Sequence, residues 1–115
     1  MAETFSERRT YSYSQARCHE RYPAQFPVLV KTGEYRLYDE VRDVSESGVG
    51  VTTRHPMAPM TLVTVLLAAP QERDPIEVLG RVMWSQADAM GIRFEQVEQR
   101  LLGTVDRIAK DLQRI

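Results

Sequence analysis

The chain has 115 residues and 13.2 kDa, with 15 basic against 16 acidic side chains, which leaves room for one domain around one core. A formal net charge of −1 excludes the broad basic face by which non-specific nucleic-acid and membrane-surface binders release counterions, so a bound anion must be met by local charge. A single cysteine, Cys18, excludes an internal disulfide and argues for a reducing cytoplasm and against a cysteine-based metal site.

Residues 1–16 (MAETFSERRTYSYSQA) are polar and lack the apolar stretch of a signal peptide. Through residue 22 there is neither a period of 2 nor one of 3.6, which predicts a flexible amino-terminal arm, 1–16, that only a ligand would order. From Pro27 the character changes. Val28, Val30 and the alternating residues 35–43 (YRLYDEVRD) predict two strands joined at Lys31-Thr32-Gly33. Val49-Gly50-Val51-Thr52-Thr53 follows as a third strand, whose interior glycine suits a bulge or a close backbone approach, and Pro56 and Pro59 punctuate its end. Residues 61–67 (TLVTVLL) are too short for a globular helix and rich in β-branched side chains, so they predict a buried strand. A polar turn at 70–75 leads to a fifth strand at 76–84, and a turn at 86–90 precedes a sixth at 91–94. Six strands with short connections imply an antiparallel sheet closed into a barrel, the domain at 17–95. The longest apolar run, residues 61–69, falls well short of the roughly eighteen residues of a membrane span, so no membrane association is expected.

The tail differs in kind. From Val97 the apolar residues fall at 97, 101, 105, 108, 112 and 115, steps of four and three that mark one face of a carboxy-terminal amphipathic helix over 96–115. Gly103 costs that helix about 1 kcal/mol relative to alanine. The apolar face either packs across one opening of the barrel or forms a short coiled-coil seam, so a monomer or a weak homodimer is expected.

Of the 15 basic residues 13 are arginine, a skew that a GC-rich genome produces and that also suits forked recognition of phosphate and guanine. Arg17 and Arg21 are spaced Arg-xxx-Arg, and residues 43–48 (DVSESG) form an Asp-x-Ser-x-x-Gly beginning 22 residues after Arg21. In this composition chance supplies about 1.4 arginine pairs at that spacing but only about 0.02 copies of the second pattern, so the second carries the weight. Two guanidinium forks can clamp an anion and offer paired donors to N7 and O6 of a guanine. Asp43 and Ser45, two apart at a strand end, are expected on one face, where a carboxylate accepts from guanine N1 and N2 and a hydroxyl both accepts and donates. Gly48 is expected to supply a tight turn and, lacking a Cβ, to let a flat base approach the backbone.

Residues 17–28 (RCHERYPAQFPV), 43–48 with Gly50, 80–84 (GRVMW) and 90–94 (MGIRF) resemble, in order and spacing, the PilZ family. The resemblance covers residues 17–95 and implies a six-stranded antiparallel β-barrel, followed by a helix, that binds the bacterial second messenger cyclic di-GMP. It implies Arg17 and Arg21 on phosphate and guanine, and Asp43 and Ser45 on a guanine edge, with Gly48 beside them. Trp84 matches a position that in some relatives lies against a guanine, where stacking is worth about 1 to 3 kcal/mol; a lone tryptophan also fills cores. Gly50 matches a common small position, with a bulge as the other reading. Where relatives often carry an extra basic residue before the first arginine, this chain has Ala16. Arg8 and Arg9 are the nearest spare arginines, Arg9 being the candidate contact, and one ligand molecule or a stacked pair both stay open.

Balanced charge and few strand aromatics argue against a small barrel binding single-stranded nucleic acid, so neither DNA nor RNA is an expected partner. His19 and His55 are the only histidines and fit no triad or metal spacing, and Ser45 lacks the Gly-x-Ser-x-Gly setting of a nucleophile. No enzyme activity, metal or cofactor is therefore expected. What the resemblance and the residues imply together is a cytoplasmic cyclic di-GMP receptor whose arm is ordered by ligand and whose output passes to a protein partner in trans. The alternative is a protein adaptor with weak or no nucleotide binding.

Overall fold

Apolar residues recurring at every second position build six strands, and their order along the chain closes them on themselves. A computed structural model describes residues 20–96 and 98–113; the predicted arm over 1–16 with Arg9, the first-motif Arg17, and the terminal helix positions Val97 and Ile115 lie outside the described residues. The elements are β1 (Tyr22–Lys31), β2 (Arg36–Val44), β3 (Gly48–Thr52), β4 (Leu62–Leu67), β5 (Ile76–Ser85), β6 (Ala89–Phe94) and α1 (Gln99–Gln113). They form a closed antiparallel barrel in the order β1-β2-β3-β6-β5-β4. Inward side chains are mostly valines, among them Val28, Val30, Val41, Val49, Val51 and Val65, whose compact branched side chains fill a narrow interior.

Several boundaries differ from the sequence expectation, and α1 begins at Gln99 rather than at 96. β1 begins at Tyr22, within the stretch expected to lack structure and five residues before Pro27. Proline is tolerated there because the Pro27 carbonyl, and with it the missing N–H, faces the β4 side beyond the β1–β4 ladder, which spans only Val28 to Lys31; the carbonyl accepts from Ala68 N at 3.0 Å. The β5–β6 turn is tighter than 86–90: Gln86 N donates to Ala89 O at 2.8 Å, and Met90 is a fully buried strand residue in phase with Ile92.

The helix uses its apolar stripe on the barrel. Leu101 and Val105 are buried and Ile108 packs against the core, so this face packs on the barrel beside β1. Two arginines strap α1 to the β4–β5 connection. Arg100 Nη2 donates to Glu72 Oε1 at 2.9 Å and to the Asp74 carbonyl at 2.7 Å, while Arg107 Nη1 lies 3.5 Å from Glu72 Oε2. Hydrogen bonding from Arg100, reinforced by its charge and by Arg107, holds the Glu72 carboxyl below its ordinary value against the opposing effect of burial. A carboxyl lowered by folding stabilises the native state above its unfolded pKa, about 4.3, and loses that contribution as pH falls through the lower folded value. Glu72→Gln is therefore expected to melt below wild type at pH 7, with the two Tm values converging as thermal scans are taken below about pH 4.

One mouth of the barrel is crossed by residues 53–61, tied down by Thr53 N to Asp88 O at 3.0 Å and by the Ser85 hydroxyl donating to the Met57 carbonyl. A cleft of about 450 Å³ opens there beside Tyr35, Leu37, His55 and Met57. Among the described residues no helix is long and apolar enough to cross a membrane.

Candidate functional site

The strand registers place Asp43 opposite Gly50, Gly50 opposite Gly91, and Gly91 opposite Trp84, a row across β2, β3, β6 and β5. Val49, Val51, Met90 and Ile92 are buried in the interior, so the intervening glycines face outward. With no side chain on the two middle positions, the end members lie down across them. A Cβ at Gly50 would fall 2.8 Å from Asp43 Oδ1, and one at Gly91 only 2.1 Å from Trp84 Nε1. The result is a glycine floor with a carboxylate at one end and an indole at the other. Gly50 is not itself a bulge. The irregularities fall on the flanking strands, where Arg42 is the extra residue between Val41 and Asp43 and Met83 the extra residue between Val82 and Trp84. Each bulge adjoins an end member of the row and re-aims it.

Charge is arranged along this row. Arg21, just before β1, donates to Asp43 Oδ1 from Nη2 at 2.5 Å and from Nε at 3.0 Å. Arg42 Nε lies 3.5 Å from Asp43 Oδ2, and its Cζ stands over the Trp84 ring, 5.7 Å from the centroid. The Arg21 and Arg42 side chains are 43 % and 49 % exposed, so these are solvent-screened pairs of about 0 to 1 kcal/mol each, which a ligand can break. Burial, and then the Glu20 carboxylate, raise the neighbouring Tyr22 phenol above its ordinary value.

Ser45 and Gly48 are placed differently from expectation. β2 ends at Val44, so Ser45 lies in the β2–β3 turn rather than in the strand, and it is fully buried. Its hydroxyl accepts from the backbone N–H groups of Ser47 and Gly48, both at 3.1 Å, which ties the turn internally. Among the described residues no glycine has positive φ. Gly48 is required by crowding instead: a Cβ there would sit 2.5 Å from the Ile92 carbonyl oxygen. Ser45→Ala leaves two partly or fully buried N–H groups without this acceptor and is expected to cost about 1 to 3 kcal/mol, read as a lower urea midpoint.

Arg42 and Gly91 belong to the site but were not singled out by sequence. Gly91 sits in a matched segment, and pairing it with Gly50 requires the strand register. Arg42 precedes Asp43, where strict alternation would put it on the opposite face; the bulge brings it round.

The PilZ domain family matches residues 15–110. The chain belongs to the PilZ family. Its barrel is similar to the Bacillus subtilis inhibitor of motility MotI/DgrA, with TM-score 0.72 at 13 % identity over 84 % of this chain, and the chain spans 51 % of that protein's length. It is also similar to the PilZ domain of CeSA from a cellulose-synthesizing bacterium, with TM-score 0.63 and 19 % identity, covering 82 % of this chain and 98 % of that one. An uncharacterized Legionella protein gives TM-score 0.55 and 11 % identity over 82 % and 98 % of the two chains. No curated protein matches the sequence. At these identities the likeness carries the fold. In this PilZ barrel the matched segments also have a shared packing logic: Gly80, like Gly48, has no room for a side chain, since its Cβ would fall 2.6 Å from Ile92 Cγ2.

Proposed function

We propose that this PilZ domain is a receptor for cyclic di-GMP, which lies across the outward face of β2, β3 and β6. The observation that carries the reading is the meeting of Arg21 from the first motif with Asp43 from the second, beside a floor of two glycines ending in Trp84. A guanidinium and a carboxylate side by side offer a phosphate or base edge its donors and the guanine N1 and N2 groups their acceptor. The flat floor admits a planar base, with the indole as a stacking wall. Ser45 and Gly48 serve by fixing the turn that follows Asp43. Arg17 and Arg9 complete the arginine side from the amino-terminal segment, and the surface that segment forms with the barrel in the bound state is the one a protein partner reads.

Titration calorimetry with cyclic di-GMP, using GTP and cyclic di-AMP as controls, tests this. Binding heat is expected from the guanine dinucleotide alone, with amide exchange of residues 8–22 slowing on its addition. No heat from cyclic di-GMP overturns the receptor reading in favour of a protein adaptor.

A further inference from the structure

We propose that Arg42 is a latch over the empty site, and that a planar base binds by taking its place on Trp84; this rests on the receptor reading above. Arg42 lies outside both motifs, yet it touches both groups at the ends of the glycine floor, with Nε 3.5 Å from Asp43 Oδ2 and Cζ 5.7 Å from the Trp84 ring centroid. The five-membered part of the indole lies on the Gly91 backbone, where a Cβ would meet Nε1, Cε2 and Cδ1 at 2.1, 2.4 and 2.8 Å. One face of the ring is thus packed against the sheet and the other is covered by the guanidinium. A guanine and a guanidinium are both flat and both suited to an aromatic face, so they compete for the same surface.

The latch is built to move. Arg42 is the extra residue of the β2 bulge, with no partner opposite it in the β2–β3 register, so its main chain is not fixed by a paired rung there. Beside it lies a cleft of about 420 Å³, bordered by Pro23, Gln25, Glu40 and Thr52. Gln25 Nε2 donates to Glu40 Oε1 at 3.0 Å, holding that carboxylate where a displaced guanidinium can turn to it. An exposed contact of a guanidinium with an aromatic face lowers the affinity of a competitor by about two- to fivefold. The latch therefore weakens the binding of a base on Trp84 by about that factor.

Trp84 is the only tryptophan of the chain beside five tyrosines, so fluorescence excited selectively at tryptophan reports on this face. The full chain and its Arg42→Ala variant are compared at about 0.15 M salt or above, where the long-range attraction of the lost charge for phosphate is screened. Without ligand, Arg42→Ala is expected to raise acrylamide quenching of Trp84. It is also expected to bind cyclic di-GMP about two- to fivefold tighter than wild type, with Arg42→Lys, which keeps a cation over the ring, between the two. A merely structural role for Arg42 predicts weaker binding, the opposite sign. Wild-type binding with Arg42→Ala no tighter overturns the latch and leaves the receptor reading standing. Absence of wild-type binding overturns the receptor reading and the latch with it.

Discussion

Asp43→Ala is expected to weaken cyclic di-GMP binding about 5- to 150-fold, the loss of about 1 to 3 kcal/mol that accompanies removal of one base-reading partner. The sign decides between two roles. In the free protein the Asp43 carboxylate neutralises Arg21 at 2.5 Å and stands 3.5 Å from Arg42, so its removal frees two guanidinium groups for phosphate. If Asp43 served only to hold those arginines in reserve, the variant would bind more tightly. If it accepts from the guanine edge, the lost acceptor outweighs that release, because a base-edge donor buried against the floor has no other partner. Arg21→Ala is expected to weaken binding over the same range, and the double variant by less than the product of the two factors, since residues in direct contact are not independent. Calorimetry on the three variants measures this, and wild-type affinity in Asp43→Ala removes that residue from the site.

The second large effect is on stability. Gly48→Ala is expected to destabilise the barrel by about 1 to 3 kcal/mol, a fall in Tm of about 5 to 15 °C. The added methyl would stand 2.5 Å from the Ile92 carbonyl oxygen and 3.4 Å from Arg93 Cα, both backbone atoms, so no side-chain rotation relieves the contact. Relief requires β3 and β6 to part at the Gly48–Arg93 rung, next to the bond from Phe94 N to Ser47 O at 2.8 Å. Gly103→Ala is the control. Nothing lies within 4 Å of its Cβ position, and a mid-helix alanine gains up to about 1 kcal/mol over glycine, so its Tm is expected to rise. Thermal melts of the two variants in parallel separate crowding at Gly48 from a general intolerance of added bulk.

Local pattern made most of this architecture legible. Val28 and Val30, the alternation through β2, and the run 62–67 place three of the six strands on the strength of period and β-branching, and steps of three and four place the helix. What was hidden depends on partners distant in sequence. The start of β1 reads as loop because Pro23 and Pro27 are strand breakers wherever an amide is needed, and only the end of the β1–β4 ladder removes that need at Pro27. Asp43 was readable as a site residue from its motif. That Ser45 is buried in a turn could not be read from alternation, because the strand stops one residue earlier, at Val44. Gly91 and Arg42 enter the site through register and bulge, neither of which leaves a mark in the local sequence.

Closure of the sheet also limits how another protein can take hold. An open sheet offers its last strand as a template, and partners often bind by extending it with a strand of their own. Here every strand has a neighbour on each side, and the stretch of β1 that runs beyond its pairing with β4, residues 22–27, contains two prolines. Main-chain recruitment is blunted there by the same residues that made the strand hard to find. A protein that responds to this barrel therefore has to read side chains on its curved outer wall, where discrimination comes from the pattern of charge and shape rather than from hydrogen bonds that any extended peptide could supply.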